Sequence, residues 1–311
     1  MKKSNDCILV TGGTGFIGSH VVQKFLELEY KVIVLKRKTS DIWRIKEVKD
    51  QCLFYDIEDG LENVFKENRI NSIIHLATKY VKKHKNLQDI KDMIETNITY
   101  PSLLLELAVK YKVTKFINTG TCFEYKLTNK KISEEDKAEA YNFYAATKLA
   151  FEEILKYYVN NQKIKAVTLK LFFPYGEKDN QKIIPLIISA LLNNKSLNIT
   201  KGEQEINYTY VGDIIKAYLR ALDYLQSTAY GGYKHFNIGN DKTSSIKEIV
   251  KYLEEISGKR NLIKLGALPY PIKEIMYMNC YNEKARKILK WSSKTDIKTG
   301  LKRTYEFYKN L

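Results

Sequence analysis

The sequence predicts a doubly wound α/β fold, in which a parallel sheet carries helices on both faces and a smaller C-terminal α/β lobe follows. Three observations support this prediction. Short apolar runs alternate with longer helix-like stretches six times within residues 1–173, the order expected of repeated strand–helix units. The runs are apolar enough for strands that are buried on both faces, as parallel strands are. A glycine-rich turn joins the first run directly to the first helix.

The first domain is expected to span residues 1–173, and its strands are predicted at the six apolar runs. These runs are Cys7–Val10, Val32–Leu35, Cys52–Tyr55, Ser72–Leu76, Phe116–Asn118 and Ala166–Phe172. The spacing of apolar residues predicts helices at Phe16–Glu29, Thr96–Lys112 and Tyr141–Asn160. Because connections between parallel strands are right-handed, the carboxyl ends of the strands should all lie at one edge of the sheet.

The pattern changes after Pro174, so residues 174–311 are expected to form mainly a substrate-binding lobe. Helices are predicted at Ile183–Leu192 and Ile214–Leu225, and "INYTYV" at 206–211 is interpreted as a strand between them. A Gly-Gly turn at 231–232 precedes a further short strand. Some segments from about residue 206 to residue 238 are expected to return to the main sheet.

The net charge of the 311-residue chain is +16, a value that suggests nucleic acid or an anionic substrate. The lysines are spread over the whole chain, however, and no block of five basic residues occurs. We therefore interpret the charge as a lysine-rich surface and expect no nucleic-acid partner. The sign still suits a ligand that carries phosphate.

The N-terminal apolar run is only four residues long, and no later segment has eighteen uninterrupted apolar residues. The chain is therefore expected to be cytoplasmic, with no membrane partner. Four cysteines are present, without C-x-x-C spacing and without histidines at metal-binding intervals: Cys7, Cys52, Cys122 and Cys280. This spacing predicts neither a disulfide framework nor a metal site.

The turn after the first strand reads "TGGTGFIGSH" at 11–20, in which Gly13, Gly15 and Gly18 satisfy the pattern G-x-G-x-x-G. Glycines allow a sharp turn, a close approach of the backbone to a pyrophosphate, and packing of the next helix on the strand. The helix N-terminus then offers N–H groups to the phosphates. This context predicts a dinucleotide-binding Rossmann domain, with expected cofactor contacts at Gly12, Thr14, Gly15, Phe16, Ile17 and Gly18.

The end of the second strand bears on which nicotinamide cofactor is bound. NAD-dependent domains tend to carry Asp or Glu there, whereas this chain has Lys36, Arg37 and Lys38. These residues favour NADP(H), because Arg and Lys attract the 2′-phosphate of that cofactor. NAD(H) stays possible. The alternative interpretation is that the basic strand end is simply solvated. Asp56, which is followed by Ile57, could accept a hydrogen bond from the adenine amino group or cap the next helix.

"YAATK" at 144–148 places Tyr144 and Lys148 four residues apart on one helix face. A phenol is a poor acid or base at neutral pH unless a neighbour stabilises the phenolate, and an ammonium one turn away can do so. Taken alone, the spacing is more typical of an ordinary helical pair. About 130 residues after a glycine loop, it indicates catalysis.

Several motifs occur together in one order: "TGGTGFIGSH", "HLAT" at 75–78, Asn97, "INTGTCFEY" at 117–125, "YAATK" and "LFFPYG" at 171–176. In this order and spacing the chain resembles the extended short-chain dehydrogenase/reductase superfamily, and within it the NAD-dependent epimerase/dehydratase family that modifies nucleotide sugars. The resemblance covers the whole length, including the C-terminal "WSSKTDIKTGLKRTYEFY".

The resemblance implies a role for individual residues. Thr121 would polarise the sugar carbonyl, with Thr119 as the competing hydroxyl, and Tyr144 would exchange the proton while Lys148 lowers its pKa. Asn97 would hold the fourth helix or a proton-relay water. The further implied cofactor contacts are Asp56, Ile57, Leu76, Ala77, Thr78, Asn97, Thr119, Tyr144, Lys148 and Phe172.

The chain departs from the family pattern at four positions. Family 4,6-dehydratases resemble it but carry an Asp-Glu pair where this chain has Cys122 and Phe123, so dehydration is not expected. Phe173 and Ile206 stand where the family often has an Asn near the substrate and an Arg that binds the diphosphate. The alternative candidates for the diphosphate are Lys182, Lys201 and Arg286.

The basic stretch "LKRKTSDIWRI" at 35–45 resembles that of the family's CDP-abequose synthase and dTDP-fucose-forming reductase branches. The first hypothesis is therefore an NADPH-dependent 4-ketoreductase of nucleotide-linked 4-keto-6-deoxy sugars, which would serve deoxysugar biosynthesis for surface polysaccharide. The alternatives are an NAD-dependent 4-epimerase and, from another class, a non-catalytic dinucleotide sensor. The resemblance also implies a homodimer formed through Thr96–Lys112 and Tyr141–Asn160.

Overall fold

The structure of the protein is a computed structural model that describes residues 6–180, 182–227 and 232–311. Its strands are β1 (Cys7–Thr11), β2 (Lys31–Lys36), β3 (Leu53–Asp56), β4 (Ser72–His75), β5 (Lys115–Thr121), β6 (Lys131–Ile132), β7 (Lys165–Leu171), β8 (Pro174–Tyr175), β9 (Leu197–Asn198), β10 (Glu205–Ile206), β11 (Thr209–Tyr210), β12 (Tyr233–Ile238), β13 (Ser244–Ser245), β14 (Ile263–Lys264) and β15 (Tyr277–Cys280). Its α-helices are α1 (Phe16–Glu27), α2 (Asn63–Glu67), α3 (Leu87–Ile94), α4 (Tyr100–Lys110), α5 (Phe143–Asn161), α6 (Ile183–Leu192), α7 (Val211–Ser227), α8 (Ile246–Ser257) and α9 (Ile297–Lys309).

The described residues form a seven-stranded sheet in the order β12-β7-β5-β4-β1-β2-β3. Strand β1 pairs in parallel with both β2 and β4, so Val10 lies between Val34 and Ile74. The pairs β2–β3 and β4–β5 are also parallel. This topology confirms the predicted doubly wound sheet. The strand order reverses between β1 and β4, the point at which such folds bind ligands beyond the carboxyl ends of the strands.

The core of this sheet is apolar on both faces. Leu9, Ile33 and Ile73 on adjacent strands are completely buried, together with Phe116 and Phe151. Burial of a large apolar side chain contributes roughly 1.5–3 kcal/mol. The strands are therefore rigid supports for the loops at their carboxyl ends.

Two compact units divide the chain. The first comprises residues up to Lys126 together with Asp136–Lys170 and Ile215–Phe236, and it contains most of the large sheet. The second comprises Leu127–Glu135, Leu171–Ile214 and Asn237–Leu311. It contains three small sheets, in the orders β13-β10-β15-β6, β11-β8 and β14-β9.

The helix predicted at Thr96–Lys112 is wrong at its N-terminal end. The helical segment begins at Leu87, where the Asn86 side chain accepts a hydrogen bond from the backbone of Asp89 at 2.9 Å. It then passes through a π-helical turn, Glu95–Thr99, before continuing as α4. Leu87, Ile90 and Ile94 have the spacing of one helix face, so the prediction missed a start that the sequence contains.

The single strand predicted at "INYTYV" is also wrong. Residues 205–206 and 209–210 form two short strands that belong to different sheets. The Asn207 side chain explains the break, since it donates to the backbone oxygen of Asn240 at 2.8 Å and accepts from the backbone of Asn240 at 2.7 Å. Helix α7 consequently begins at Val211 rather than Ile214. Of the predicted Gly-Gly turn, Gly231 lies outside the described residues.

Candidate active site

The glycine loop joins β1 to α1 against the end of β4. Gly12 has a φ of 69°, and a Cβ built on it would lie 2.6 Å from the backbone nitrogen of Ala77. A Cβ on Gly18 would collide with the backbone oxygen of Gly12. The backbone nitrogens of Leu76 and Ala77 donate to Thr11, at 3.1 and 3.2 Å. The two loops are thus fixed side by side.

The N-terminus of α1 fits a dinucleotide phosphate. Gly15 is its N-cap, no side chain caps the helix, and the first turn has no acidic residue. A Cβ on Gly15 would meet only the Gly12 oxygen, at 3.2 Å. The half-buried Thr14, Phe16 and Ile17 flank this opening. The free N–H groups and the positive end of the helix dipole are therefore available to an anion.

The basic end of β2 is partly neutralised by its own neighbours. Lys36 lies 2.5 Å from the Asp56 carboxylate, and Lys38 forms an exposed ion pair with Asp59. Arg37 is exposed, and among the described residues its guanidinium makes no hydrogen bond or ion pair. Of the three predicted cations, Arg37 is therefore the one whose charged group has no hydrogen-bond or ion-pair partner within the described residues.

Asp56 precedes the short helical turn Ile57–Asp59, but its side chain makes no capping hydrogen bond there. The carboxylate instead accepts from Lys36. Asp56 thus occupies the N-cap position that was one of its two predicted roles, but its carboxylate pairs with the ammonium group and does not cap the turn. The contact with adenine stays a prediction for Asp56 and the half-buried Ile57.

Helix α5 carries Tyr144 and Lys148, and it is capped by Asn142, whose side chain accepts from the backbone of Ala145 at 2.9 Å. Both side chains are nearly inaccessible, Tyr144 being 8% and Lys148 2% exposed. Burial lowers the pKa of Lys148 to about 8, although the carboxylates of Glu124 and Glu152 act in the opposite direction. Lys148 therefore titrates close to physiological pH.

The pKa of Tyr144 is raised, not lowered as the sequence led us to expect. Burial is the main cause, the Glu124 carboxylate adds to it, and hydrogen bonding with Thr78 opposes it. Desolvation of the buried phenol thus exceeds the opposing effect of the hydrogen bond with Thr78. Tyr144 is consequently protonated at neutral pH and is a weaker acid than a free phenol, so proton donation needs a neighbour that stabilises the phenolate.

Thr121 ends β5 and begins a short helical turn, Cys122–Glu124. Its hydroxyl oxygen accepts from the backbone of Phe123 at 3.3 Å, while its own N–H donates to Glu124 Oε1 at 2.7 Å. This reciprocal pair is a capping box. Within the described ranges the Thr121 hydroxyl has no acceptor for its proton, which can therefore be donated to a ligand.

Thr119, the competing hydroxyl, is already engaged. It donates to the backbone oxygen of His75 at 2.8 Å, and its oxygen lies 2.7 Å from the hydroxyl of Tyr218. Since its one proton is used by His75, Thr119 cannot also donate to a substrate oxygen. The hydrogen bonding thus favours Thr121 over Thr119.

Asn97 lies in the π-helical turn and is completely buried. Its Oδ1 accepts from the Thr78 hydroxyl at 3.0 Å and from the backbone of Lys79 at 2.8 Å. Its Nδ2 donates to the Lys79 oxygen at 3.0 Å and to Thr147 at 2.9 Å. These four bonds use the full capacity of the amide. Asn97 therefore joins the loop after β4 to α5 and has no position left for a relay water.

Three contributors to this site were missed in the sequence: Glu124, Thr147 and Tyr80. The spacing T-x-x-E in "TCFE" is a capping-box pattern and could have revealed Glu124. Thr147 lies between the catalytic pair and binds Asn97, and no local pattern marks it. The ring of Tyr80 packs edge-on against that of Tyr144, with centroids 4.9 Å apart.

Other predicted residues belong to the second unit. Phe172 is completely buried, and Phe173 has a φ of 29°, a conformation that suits Asn better than Phe. Ile206 is buried in β10. Of the diphosphate candidates, Lys201 is exposed, Lys182 donates to the Pro174 oxygen at 2.8 Å, and Arg286 pairs with Asp241. Two of these three cations thus already bind neighbours within the second unit.

Within residues 6–180, 182–227 and 232–311, no group of three or more His, Cys, Asp or Glu side chains is arranged to hold a metal ion. In the same ranges no helix is both long and apolar enough to span a bilayer.

Comparison with known proteins places this geometry among enzymes of nucleotide-sugar chemistry. The sequence model of the NAD dependent epimerase/dehydratase family matches residues 8–239. CDP-abequose synthase from Salmonella typhimurium is 30% identical over 303 residues, which cover 94% of this chain and 95% of that protein.

Solved structures of 4-epimerases are also similar to this chain. A UDP-glucuronic acid 4-epimerase from Bacillus cereus, in complex with UDP-glucuronic acid and NAD, superposes with a TM-score of 0.86 at 28% identity, covering 98% of this chain and 99% of that one. A UDP-glucose 4-epimerase from Thermotoga maritima with UDP-glucose also has a TM-score of 0.86, at 26% identity and the same coverage.

Proposed function

Since this chain belongs to the NAD dependent epimerase/dehydratase family, we propose that it is a nucleotide-sugar 4-ketoreductase. The substrate is a nucleotide-linked 4-keto-6-deoxy sugar, and the product carries a hydroxyl group at C4. Such a reaction serves deoxysugar biosynthesis for surface polysaccharide.

One observation carries the proposal. The hydroxyl groups of Tyr144 and Thr121 can both donate a proton or hydrogen bond, and the two residues after Thr121, Cys122 and Phe123, are not the acid and base of a dehydratase. Burial keeps Tyr144 protonated because it raises the pKa of the phenol. The Thr121 hydroxyl accepts from Phe123 and keeps its own proton available. Cys122 and Phe123 cannot replace the Asp-Glu pair that removes water in a dehydratase. Two donors without that acid–base pair support simple reduction.

The chemistry assigns one task to each side chain. NADPH supplies a hydride to C4 when it is bound. Tyr144 donates its proton to the carbonyl oxygen, so that the C=O group becomes CH–OH with all atoms and charges balanced. Thr121 donates a hydrogen bond to the same oxygen as negative charge develops on it. Lys148, charged below about pH 8, stabilises the phenolate that Tyr144 leaves behind.

NADP(H) is the proposed cofactor, and Arg37 is the residue that supports it. Lys36 and Lys38 are paired with acids, whereas the Arg37 guanidinium is exposed and suits a 2′-phosphate. Replacement of Arg37 by Ala should weaken NADPH binding about tenfold or more and leave NADH binding nearly unchanged. Equal loss for both cofactors would contradict this assignment.

The proposed reaction is tested by mixing the purified protein with NADPH and, in turn, CDP-, dTDP- and GDP-linked 4-keto-6-deoxyhexoses. Oxidation of NADPH in the presence of at least one sugar, together with a reduced sugar product, is the expected result. Tyr144→Phe is the matched control, because it removes the donated proton and little volume. If no sugar consumes NADPH, the proposal is wrong.

A 4-epimerase is the second candidate, and the epimerase relatives favour it. An epimerase oxidises and reduces the same sugar, so it should retain NAD through purification and interconvert two sugars without net redox change. A non-catalytic dinucleotide sensor, the candidate from another class, should bind the cofactor equally well with Phe at position 144 and show no turnover.

The partner assignments stay predictions. Residues 174–311 are proposed to supply the side chains that bind the nucleotide sugar. A homodimer through α4 and α5 is supported by two exposed apolar side chains on these helices, Leu103 at 51% and Tyr157 at 60%. Light scattering on the purified protein distinguishes the dimer from the monomer.

A further inference from the structure

A buried ion cluster lies directly behind Thr121. The ammonium of Lys170 on β7 is 3.0 Å from Glu124 Oε2 and 3.2 Å from Glu152 Oε2. None of the three side chains is more than 4% exposed. The cluster therefore joins the turn after β5, strand β7 and helix α5 inside the first unit. Nothing in the chemistry proposed above uses it.

Glu124 has two functions in this cluster because its two oxygens have different partners. Oε1 accepts the backbone N–H of Thr121 at 2.7 Å, while Oε2 faces Lys170. A buried carboxylate is costly without a counter-ion, and Lys170 supplies it. The orientation of Thr121 thus depends on a carboxylate whose own position is fixed by an ion pair.

The charge of Glu124 also acts on the catalytic pair. Its carboxylate raises the pKa of both Tyr144 and Lys148, and Glu152, one turn after Lys148 on α5, raises that of Lys148. The other titratable group facing Lys148 is His75 on β4, whose pKa is lowered by burial so that it is neutral. Tyr80 and Cys122 face Tyr144. Burial raises the pKa of Glu124 itself to about 7, against the opposing effect of Lys170, so above about that pH its charge acts on both members of the pair.

We propose that Glu124 is a positioning residue for proton donation: anchored by Lys170, it orients Thr121 through the backbone N–H and places a negative charge beside Tyr144 and Lys148. This inference rests on the proposed reductase function. It adds a reason why Lys148 can assist the reaction, since the Glu124 charge favours the Lys148 ammonium, the form that stabilises the phenolate left by Tyr144.

Glu124→Gln is the central variant. The Gln side-chain oxygen can still accept the Thr121 N–H, so the variant removes the charge and keeps the cap. Lys170 keeps Glu152 as its counter-ion, which should allow the variant to fold. Glu153→Gln is the matched control, since Glu153 is the next residue on α5 after Glu152, is 72% exposed and pairs with Lys156.

Removal of the anion should lower the pKa of Lys148 and Tyr144, so the alkaline limb of kcat/KM against pH should move down by about one pH unit. The alkaline limb of the kcat/KM profile of Glu153→Gln should coincide with that of the wild type. Glu124→Ala, which also removes the cap, should lower kcat about tenfold or more relative to Glu124→Gln, at similar KM. A structural role alone would lower the unfolding temperature without moving the limb.

A titration that does not depend on turnover separates this inference from the proposed function. The ¹³Cε resonance of Lys148, assigned by its loss in Lys148→Arg, reports the pKa directly. If the wild type reduces no keto sugar, the proposed function fails, but this titration in Glu124→Gln still decides the role of Glu124. A Lys148 midpoint unchanged by Glu124→Gln would overturn the inference.

Discussion

The two threonines at the end of β5 provide the sharpest test of the site, because valine has nearly the shape of threonine and lacks the hydroxyl. We compare Thr121→Val with Thr119→Val. Both positions lie on the same strand, two residues apart, so differences between the variants report the hydroxyl groups rather than the location. Thr121 is expected to matter for catalysis and Thr119 for stability.

The magnitudes follow from the hydrogen bonds that each hydroxyl makes. Thr121 loses one long bond, at 3.3 Å to Phe123, which should cost at most about 1 kcal/mol of unfolding free energy. Loss of a donor to a developing oxyanion should reduce kcat about 10²–10³-fold. Thr119 loses bonds at 2.8 and 2.7 Å and leaves the buried Tyr218 hydroxyl without that partner, a cost of roughly 2–4 kcal/mol.

Urea denaturation gives the stability of both variants, and NADPH oxidation with the best keto sugar gives kcat and KM. We expect Thr121→Val to be the more stable and the slower of the two. Thr121→Ser should recover much of the lost rate because it restores a hydroxyl. If Thr119→Val is instead the slower variant and Thr121→Val keeps wild-type turnover, the assignment of Thr121 is refuted.

Three further predictions concern the remaining parts of the site. Burial lowers the pKa of Lys148 to about 8 and the ammonium is the active form, so kcat/KM should be flat below that pH and fall above it. Lys148→Arg should shift this fall to higher pH. A profile that stays flat to high pH would exclude the proposed role of the Lys148 ammonium. Gly15→Ala should fold normally yet weaken cofactor binding, since its Cβ would lie 3.2 Å from the Gly12 oxygen and, among the described residues, near no other atom beyond its chain neighbours. Gly18→Ala should lower the unfolding temperature, because its Cβ would collide with the same oxygen. Calorimetry measures the second effect and cofactor titration the first. Asn97→Leu should cost roughly 3–5 kcal/mol in urea denaturation, because four hydrogen bonds of a buried side chain are lost; a cost below about 1 kcal/mol would show that water replaces the amide.

Much of the first unit could be predicted because its information is local. The apolar runs at Cys7–Val10 and Val32–Leu35 correspond to β1 and β2. The glycine spacing predicted a sharp turn, and Gly12 has the positive φ that such a turn requires. Strand burial and glycine conformation depend on a few adjacent residues, so a linear pattern reveals them.

Hydrogen-bond partners that are distant in the chain could not be predicted in the same way. Asn97 binds residues 18 and 50 positions away, and Thr119 contacts Tyr218, 99 positions away. The π-helical turn that holds Asn97 has no distinct sequence pattern. Likewise, a lysine inside the apolar strand β7 gave no indication of which carboxylates surround it.

The amino-acid sequence alone thus determined the sheet and the glycine turn, and it singled out Tyr144 and Lys148 as the candidate pair, because periodicity and motif spacing are properties of adjacent residues. The tertiary structure alone showed the burial of that pair, the hydrogen bonds that distinguish Thr119 from Thr121, and the cluster of Glu124, Lys170 and Glu152. Burial and the distance between charges set these properties, and both exist only once β5, β7 and α5 have packed together.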